Sequence, residues 1–208
     1  MQYKVQVELS RVNNSANHYV FLLIWVCTRK WRIKEMSIKP CVVVPIYYFP
    51  LSDSDTASLH RIVSTLFRHP IRFIVPNKLQ SYIKTHLLGI LHSAIVDLEV
   101  YSVDDNWLSS ISSYNHMCMS HAFYKLFASF THILIAQLDT WIFSDQLIYW
   151  CKSGYSYIGA PWIKLNKTND FSFDGAGNGG FSLRYIPHFL LISSFLSRQY
   201  LYIPSSIL

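Results

Sequence analysis

The sequence offers no donor set for a zinc centre and no disulfide framework. Its four cysteines are widely separated without a Cys-x-x-Cys pair, and its nine histidines include no His-x-x-x-His or His-Glu-x-x-His arrangement. Zinc hydrolysis therefore has no support. The absence of a Gly-x-Ser-x-Gly elbow and of a Walker loop likewise argues against an α/β-hydrolase and a P-loop enzyme. Isolated cysteines are typical of buried free thiols in a reducing compartment, so we expect a cytoplasmic protein.

No apolar run is long enough to cross a bilayer as a helix. The longest candidate, residues 19–27, has about nine apolar residues, whereas a spanning helix needs roughly twenty. It also lies too deep in the chain for a secretory signal and has no small-residue cleavage site. Basic residues follow it at positions 29, 30, 32 and 34. We favour a buried strand or helix, and a peripheral contact with an anionic membrane on the cytoplasmic face is the second interpretation.

Charged residues are few, and the basic ones are in excess. Only 14% of residues are charged while 51% are apolar, which indicates one compact domain. The net charge of +6 suits an anionic partner such as a nucleotide diphosphate, a polyprenyl phosphate or a membrane face. No nucleic-acid-binding module is present, so we expect no nucleic-acid partner. The aromatic content of 16% is used mainly for core packing, with stacking on sugar or base rings as the alternative.

Strand and helix patterns alternate along most of the chain. Apolar runs predict strands at 41–47, 70–76, 94–103, 132–136 and 155–159, and helical spacing predicts helices over 53–67, 79–91 and 114–130. Asp53 or Ser54 is the expected cap of the first helix. This alternation predicts a three-layer α/β/α, Rossmann-like fold with a mostly parallel sheet. Residues 41–208 form the predicted domain, and residues 1–40 are an N-terminal extension of uncertain structure.

Two features of the second half of the chain point to a ligand site. The apolar run at 132–136 delivers one carboxylate, Asp139, just past the end of a buried strand, where ligands bind in open α/β sheets. About forty residues later, a segment at 175–182 carries four glycines. Such spacing predicts a loop whose backbone turns sharply or approaches a ligand closely.

Longer motifs around these residues resemble known proteins. The strand ending in Gln137-Leu-Asp139 is similar to the strand of GT-A glycosyltransferases that runs into Asp-x-Asp. Gln137-Leu-Asp-Thr-Trp-Ile-Phe-Ser-Asp145, Gly154-Tyr-Ser-Tyr-Ile-Gly-Ala-Pro-Trp162 and Gly177-Asn-Gly-Gly-Phe-Ser-Leu-Arg184 resemble the glycosyltransferase-like family called domain of unknown function 5672. The resemblance covers roughly residues 41–184. It implies a GT-A-like domain that transfers a sugar from a nucleotide-sugar donor to a glycan or lipid-linked acceptor, in carbohydrate biosynthesis.

The resemblance assigns roles around Asp139. Asp139 matches the second acid of Asp-x-Asp, which implies a catalytic ligand for a divalent cation, Mn²⁺ or Mg²⁺, on the departing diphosphate. Gln137 stands where the first acid is usual, and its neutral carboxamide can hydrogen-bond a ribose hydroxyl or bind a metal weakly, without contributing a charge. Tyr47 is placed to stack on the nucleotide base, although core packing explains it equally well.

The glycine segment supplies the remaining candidates. Asn178, Gly179 and Gly180 are expected to bind the donor through backbone amides and the Asn178 carboxamide. Arg184 offers a fork of donors for a phosphate, with a surface charge as the simpler explanation. Asp174 is a weak candidate for the base that deprotonates the acceptor.

One absence argues against activity. GT-A enzymes commonly place an acidic residue beyond the glycine segment, yet no Asp or Glu follows Asp174 in this sequence. The domain is therefore expected to be C-terminally truncated or degenerate. The alternative hypothesis is a catalytically inactive remnant that acts as a carbohydrate-binding or scaffolding module.

Overall fold

The computed structural model describes residues 25–27, 37–90, 97–165 and 171–200, with side chains described over 37–86, 97–161 and 177–194. Residues 19–24 of the apolar run and the basic residues behind it lie outside these ranges. None of the helices within the described ranges is long and apolar enough to span a membrane.

Within the described ranges, a seven-stranded sheet forms the middle layer. Its strands are β1 (Trp25–Cys27), β2 (Pro40–Pro45), β3 (Ile71–Pro76), β4 (Leu98–Val103), β5 (His132–Ala136), β6 (Tyr157–Leu165) and β7 (Phe171–Tyr185), in the order β1-β6-β7-β5-β2-β3-β4. The pairs from β5 through β2 and β3 to β4 are parallel, whereas β7 runs antiparallel to both β5 and β6, and β1 antiparallel to β6. Five of the seven strands therefore share one direction.

Helices cover both faces of this sheet. They are α1 (Asp53–Leu66), α2 (Gln80–Ile90), α3 (Ile111–Met119), α4 (His121–Lys125), α5 (Leu147–Lys152) and α6 (Ile186–Tyr200). Buried residues of α1, α2 and α5 form one apolar core with the sheet, and those of α3, α4 and the start of α6 form a second core on the other face. The predicted three-layer α/β/α fold with a mostly parallel sheet is confirmed.

The central strands β2 and β5 are buried over their full length. They pair in parallel, with Val42 opposite Leu134, and successive side chains enter the two cores alternately. A strand covered on both faces needs apolar residues at every position, which explains their continuous apolar sequence. Cys41 of β2 is buried and free, as are Cys118 and Cys151. Burial raises the pKa of the Cys41 and Cys151 thiols to about 12, so these side chains serve as neutral core residues.

Two of the expected elements were wrong, and one helix was not predicted. The helix predicted over 114–130 is divided into α3 and α4, because Ser120 is extended (φ −78°, ψ 141°) and its hydroxyl accepts a hydrogen bond from the Phe123 amide at 3.1 Å. The glycine segment is part of the long strand β7 and not a loop. The final apolar, serine-rich stretch, for which no element was predicted, contains α6.

The stretch predicted as an extension contributes at least one strand. β1 pairs with β6, with Trp25 opposite Gly159. The boundary at residue 40 otherwise stays a prediction.

Candidate functional site

The carboxyl ends of β2 and β5 bring two predicted site residues together. Tyr47 lies just past β2 and Gln137 just past β5, and the Gln137 Nε2 group donates to the Tyr47 hydroxyl at 2.5 Å. Burial raises the pKa of Tyr47 well above its usual value, with the Gln137 bond partly opposing the shift. The phenol is therefore neutral, and its ring packs edge-on against Tyr114 with 6.0 Å between centroids. This hydrogen-bonded pair forms one side of the candidate site at the sheet edge.

Asp139 lies exposed in a tight turn at this same edge. The Thr140 amide donates to the Gln137 carbonyl at 3.0 Å, and the Thr140 hydroxyl donates to the same oxygen at 2.6 Å. These bonds fix the turn without using the Asp139 carboxylate. Among the described residues, no donor lies within hydrogen-bond distance of that carboxylate, so it is open to a ligand.

The glycine segment of β7 lies beside the end of β5 and forms another side of the candidate site. The Gln137 amide donates to the Gly180 carbonyl at 2.9 Å, and the Gly180 amide donates to the Asn178 Oδ1 atom at 2.9 Å. The register between β6 and β7 is irregular here, because Ala160 pairs with Asn178 and Gly159 with Ser182. The three residues between Asn178 and Ser182 have no partner on β6, so β7 bulges at this point. Glycine within a strand often marks such a bulge, or a place where a ligand approaches the backbone closely.

Arg184 lies beneath this segment and not on its surface. The side chain is only 4% exposed. Its Nη1 atom donates to the Tyr124 hydroxyl at 2.7 Å, its Nε atom to the Ser182 hydroxyl at 3.1 Å, and its Nη2 atom lies 3.5 Å from the Gly179 carbonyl. No carboxylate among the described residues pairs with it. Neutral oxygens therefore stabilise this buried guanidinium, and its predicted contact with a phosphate stays a prediction.

Two further tyrosines, which the sequence did not single out, hold the same backbone. Tyr114 of α3 donates to the Gly179 carbonyl at 3.2 Å, and Tyr157 of β6 donates to the Asn178 carbonyl at 3.3 Å. Burial also raises the pKa of Tyr124, the hydroxyl partner of Arg184, to about 12. In the sequence these tyrosines are indistinguishable from core aromatics. The high aromatic content was the only available signal.

A metal ion at this edge would depend on Asp139. Within the part of the chain that is described, no three His, Cys, Asp or Glu residues are grouped as a metal site. Asp174 lies on β7, with its side chain outside the described set. An exposed single carboxylate fits Mg²⁺ or Mn²⁺ only in combination with ligand phosphates, since such ions are commonly held by one or two carboxylates together with substrate oxygens and water. The residues present fit a cation that arrives with a diphosphate.

The family is decided by sequence comparison. A profile of the family described as "Protein of unknown function (DUF5672)" matches residues 97–204, just over half of the chain. The chain belongs to this family. The predicted membership in DUF5672 is thus confirmed, over a region that contains Gln137, Asp139 and the glycine segment and does not include Tyr47. No curated protein is significantly similar in sequence.

Two solved structures are similar to this DUF5672 protein at low identity. The mannosyltransferase Ktr4p from S. cerevisiae is 17% identical with a TM-score of 0.40, over 58% of this chain and 38% of that one. The 4-diphosphocytidyl-2C-methyl-D-erythritolsynthase from Anaerococcus prevotii DSM 20548 is 9% identical with a TM-score of 0.44, over 82% of this chain and 78% of that one. The chain thus spans well under half of the mannosyltransferase structure. Neither similarity carries information on a substrate.

Proposed function

We propose that the protein is a nucleotide-sugar-dependent glycosyltransferase that acts on a glycan or lipid-linked acceptor. The observation that carries this proposal is the meeting of Tyr47, Gln137 and the open Asp139 carboxylate at the carboxyl ends of β2 and β5, beside the glycine backbone of β7. Parallel α/β sheets bind their ligands in the crevice outside these strand ends.

Each residue has a distinct part in the proposed reaction. The Tyr47 ring would stack on the nucleotide base. Gln137 holds that ring through the hydrogen bond from its carboxamide. Asp139 would hold a Mg²⁺ or Mn²⁺ ion, which when bound neutralises the negative charge that develops on the departing diphosphate. The backbone of the glycines at 179 and 180 is the proposed wall against which the donor sugar would lie. Asp174 remains the candidate base that accepts the proton from the acceptor hydroxyl.

The direct test is donor binding by wild type and by Asp139→Asn. The substitution keeps size and local hydrogen bonding while removing the charge, so stability should barely change. We expect calorimetric titration with UDP- and GDP-sugars in the presence of Mn²⁺ to show an affinity loss of roughly 10- to 100-fold, the scale of a lost charge-assisted contact. Asp53→Asn, another exposed aspartate at the start of α1, is the matched control and should bind as wild type does.

The outcomes separate the hypotheses. Binding of no donor by the folded protein, with or without the metal, contradicts the proposal. Equal affinity of wild type and Asp139→Asn removes the ligand role of Asp139. Donor binding without sugar transfer to any acceptor favours the alternative of an inactive binding module, for which the absence of acidic residues after Asp174 is the motivating observation.

A further inference from the structure

An apolar cleft of about 270 Å³ lies on the face of the sheet that carries α1 and α5. Strands β5, β6 and β7 form its floor, and α5 with the chain segment before it forms one wall. Four aromatic residues line it, namely Trp141, Phe143, Trp150 and Phe181. Among the described residues, none of those that line it is charged, and its polar side chains are Ser144 and Gln146. The hydroxyl of Ser182 is directed to the other face of the sheet, where it donates to the Gly179 carbonyl and accepts from Arg184. The cleft therefore suits an uncharged ligand with an apolar body.

The cleft adjoins the candidate site along two segments of the chain. Phe181 and Ser182 follow directly after Gly180, whose carbonyl bonds to the Gln137 amide. Trp141 follows directly after the turn that presents Asp139. The cleft thus adjoins the segments of chain that form the carboxyl edge.

A side chain of α1 fixes the mouth of the cleft. Arg61 donates from Nε to the Ile142 carbonyl at 2.5 Å and from Nη2 to the Phe143 carbonyl at 2.8 Å. Its guanidinium also lies 5.9 Å from the centre of the Trp141 ring. The rings of Trp141 and Phe143 nevertheless remain 49% and 48% exposed. Large aromatic side chains that are both half-exposed and held in place are typical of ligand sites.

We propose that this cleft binds the uncharged apolar part of the acceptor, as the aglycone of a glycoside, with the acceptor sugar at the edge beside Asp139. This inference rests on the proposed function. The volume lies just below the range of about 300–1000 Å³ usual for ligand pockets, so the cleft takes one ring or a short chain. The neutral lining disfavours the donor diphosphate as the occupant, because burial of an unpaired charge is costly.

The test uses the intrinsic fluorescence of Trp141 and Trp150 with neutral probes and without any donor. We expect octyl glucoside or octyl mannoside, below its micelle concentration, to give a saturable change that the corresponding methyl glycoside does not give. Octanol alone should bind more weakly than the octyl glycoside, because it cannot place a sugar at the edge. Equal binding of octyl and methyl glycosides, equal binding of octanol, or no binding of any of them overturns the proposal.

Phe143→Ala and Tyr82→Ala form a matched pair of variants. Both side chains are 48% exposed, so both variants should fold. Only Phe143 lines the cleft. Phe143→Ala should weaken the octyl glycoside by roughly five- to tenfold, the scale of a half-buried aromatic contact, and Tyr82→Ala should not weaken it. A second variant, Ala160→Phe, fills the cleft from β6 and should abolish binding. Unchanged affinity in both cleft variants refutes the proposal.

Donor titrations keep this proposal distinct from the proposed function. Phe143→Ala should bind UDP- or GDP-sugars as wild type does. Glycoside binding without donor binding would leave the cleft assignment standing and refute the transferase, whereas donor binding without glycoside binding would refute the cleft alone.

Discussion

Gly180 is the residue on which the geometry of the candidate site depends most directly. A Cβ atom at this position would lie 2.2 Å from the Oε1 atom and 2.9 Å from the Cδ atom of Gln137. The same Gln137 side chain donates to Tyr47, so displacing it would also release the Tyr47 ring. A side chain at position 180 therefore fits only if the Gln137 carboxamide moves. The backbone angles of Gly180 do not fall in the left-handed region.

Gly180→Ala should consequently destabilise the protein, and the size of the loss should depend on whether the Gln137 side chain is present. We expect a loss of about 1–3 kcal/mol in the free energy of unfolding, the usual cost of overpacking. In a Gln137→Ala background the added methyl group meets no such obstacle, so the loss should be much smaller. Urea unfolding of the two single variants and the double variant measures the coupling. Strictly additive effects would show that Gln137 is not what excludes a side chain at position 180.

Gly177, in the same strand, is glycine for a different reason, namely its backbone conformation. Its φ of +126° is strained for any other residue, although a Cβ atom added there would meet nothing within 4 Å. Two glycines only three positions apart thus serve different purposes, one conformational and one steric. Sequence alone does not separate these purposes.

At the scale of elements, success in prediction followed the strength of the local pattern. β2 and β5 were predictable because continuous apolar runs are what doubly covered parallel strands require. β7 was not, because glycine disfavours strands and the bulged pairing with β6 is a tertiary property. Tyr47 and Gln137 meet because β2 and β5 are parallel neighbours that end at one edge. The sequence predicted a parallel sheet but not that these two strands are adjacent. The tyrosines that hold β7 come from distant elements, and no local signal connects them to it.

The start of α1 allows a direct test of local capping. The predicted caps were Asp53 or Ser54, whereas the structure places Ser52 at the N-cap, where its hydroxyl accepts from the Asp55 amide at 3.1 Å. Ser52→Ala should cost about 1 kcal/mol of stability, as is typical for loss of an N-cap. Ser54→Ala, in the first helical turn, should cost much less. Thermal or urea unfolding of both variants decides the matter, and a greater loss for Ser54→Ala would restore the sequence-based assignment.

At the scale of the whole molecule, the two halves of the sheet contribute different parts of the candidate site and the cleft. The parallel half, from β5 to β4, supplies the edge at which Tyr47 and Gln137 meet. The antiparallel half supplies the glycine wall on β7 and the floor of the apolar cleft. Arg184 and the buried tyrosines lie on one face and the cleft on the other. The proposed donor site and the cleft proposed for the acceptor therefore adjoin at the sheet edge that carries Asp139.

His132 lies at the far end of β5 from this edge and gives the protein a pH dependence of its own. Its side chain is 1% exposed, its Nδ1 atom lies 3.0 Å from the Thr131 hydroxyl, and its Nε2 atom has no partner among the described residues. Burial lowers its pKa from 6.5 to about 4. Between these two values the unfolded chain binds a proton that the native protein does not bind. Stability should therefore be fully present above the unfolded pKa and fall as the pH decreases towards 4.

The size of this effect follows from the shift in pKa. Each unit corresponds to about 1.4 kcal/mol, so His132 should remove roughly 3 kcal/mol of stability across the interval. Urea unfolding at several pH values between the two pKa values measures the slope for wild type and for His132→Phe, which has no titrating group there. The slope should be markedly shallower in His132→Phe, while His60→Phe, at an exposed position on α1, should keep the wild-type slope. If His132→Phe instead loses stability with acid as steeply as wild type, the acid sensitivity originates elsewhere and His132 is protonated without penalty in the folded protein.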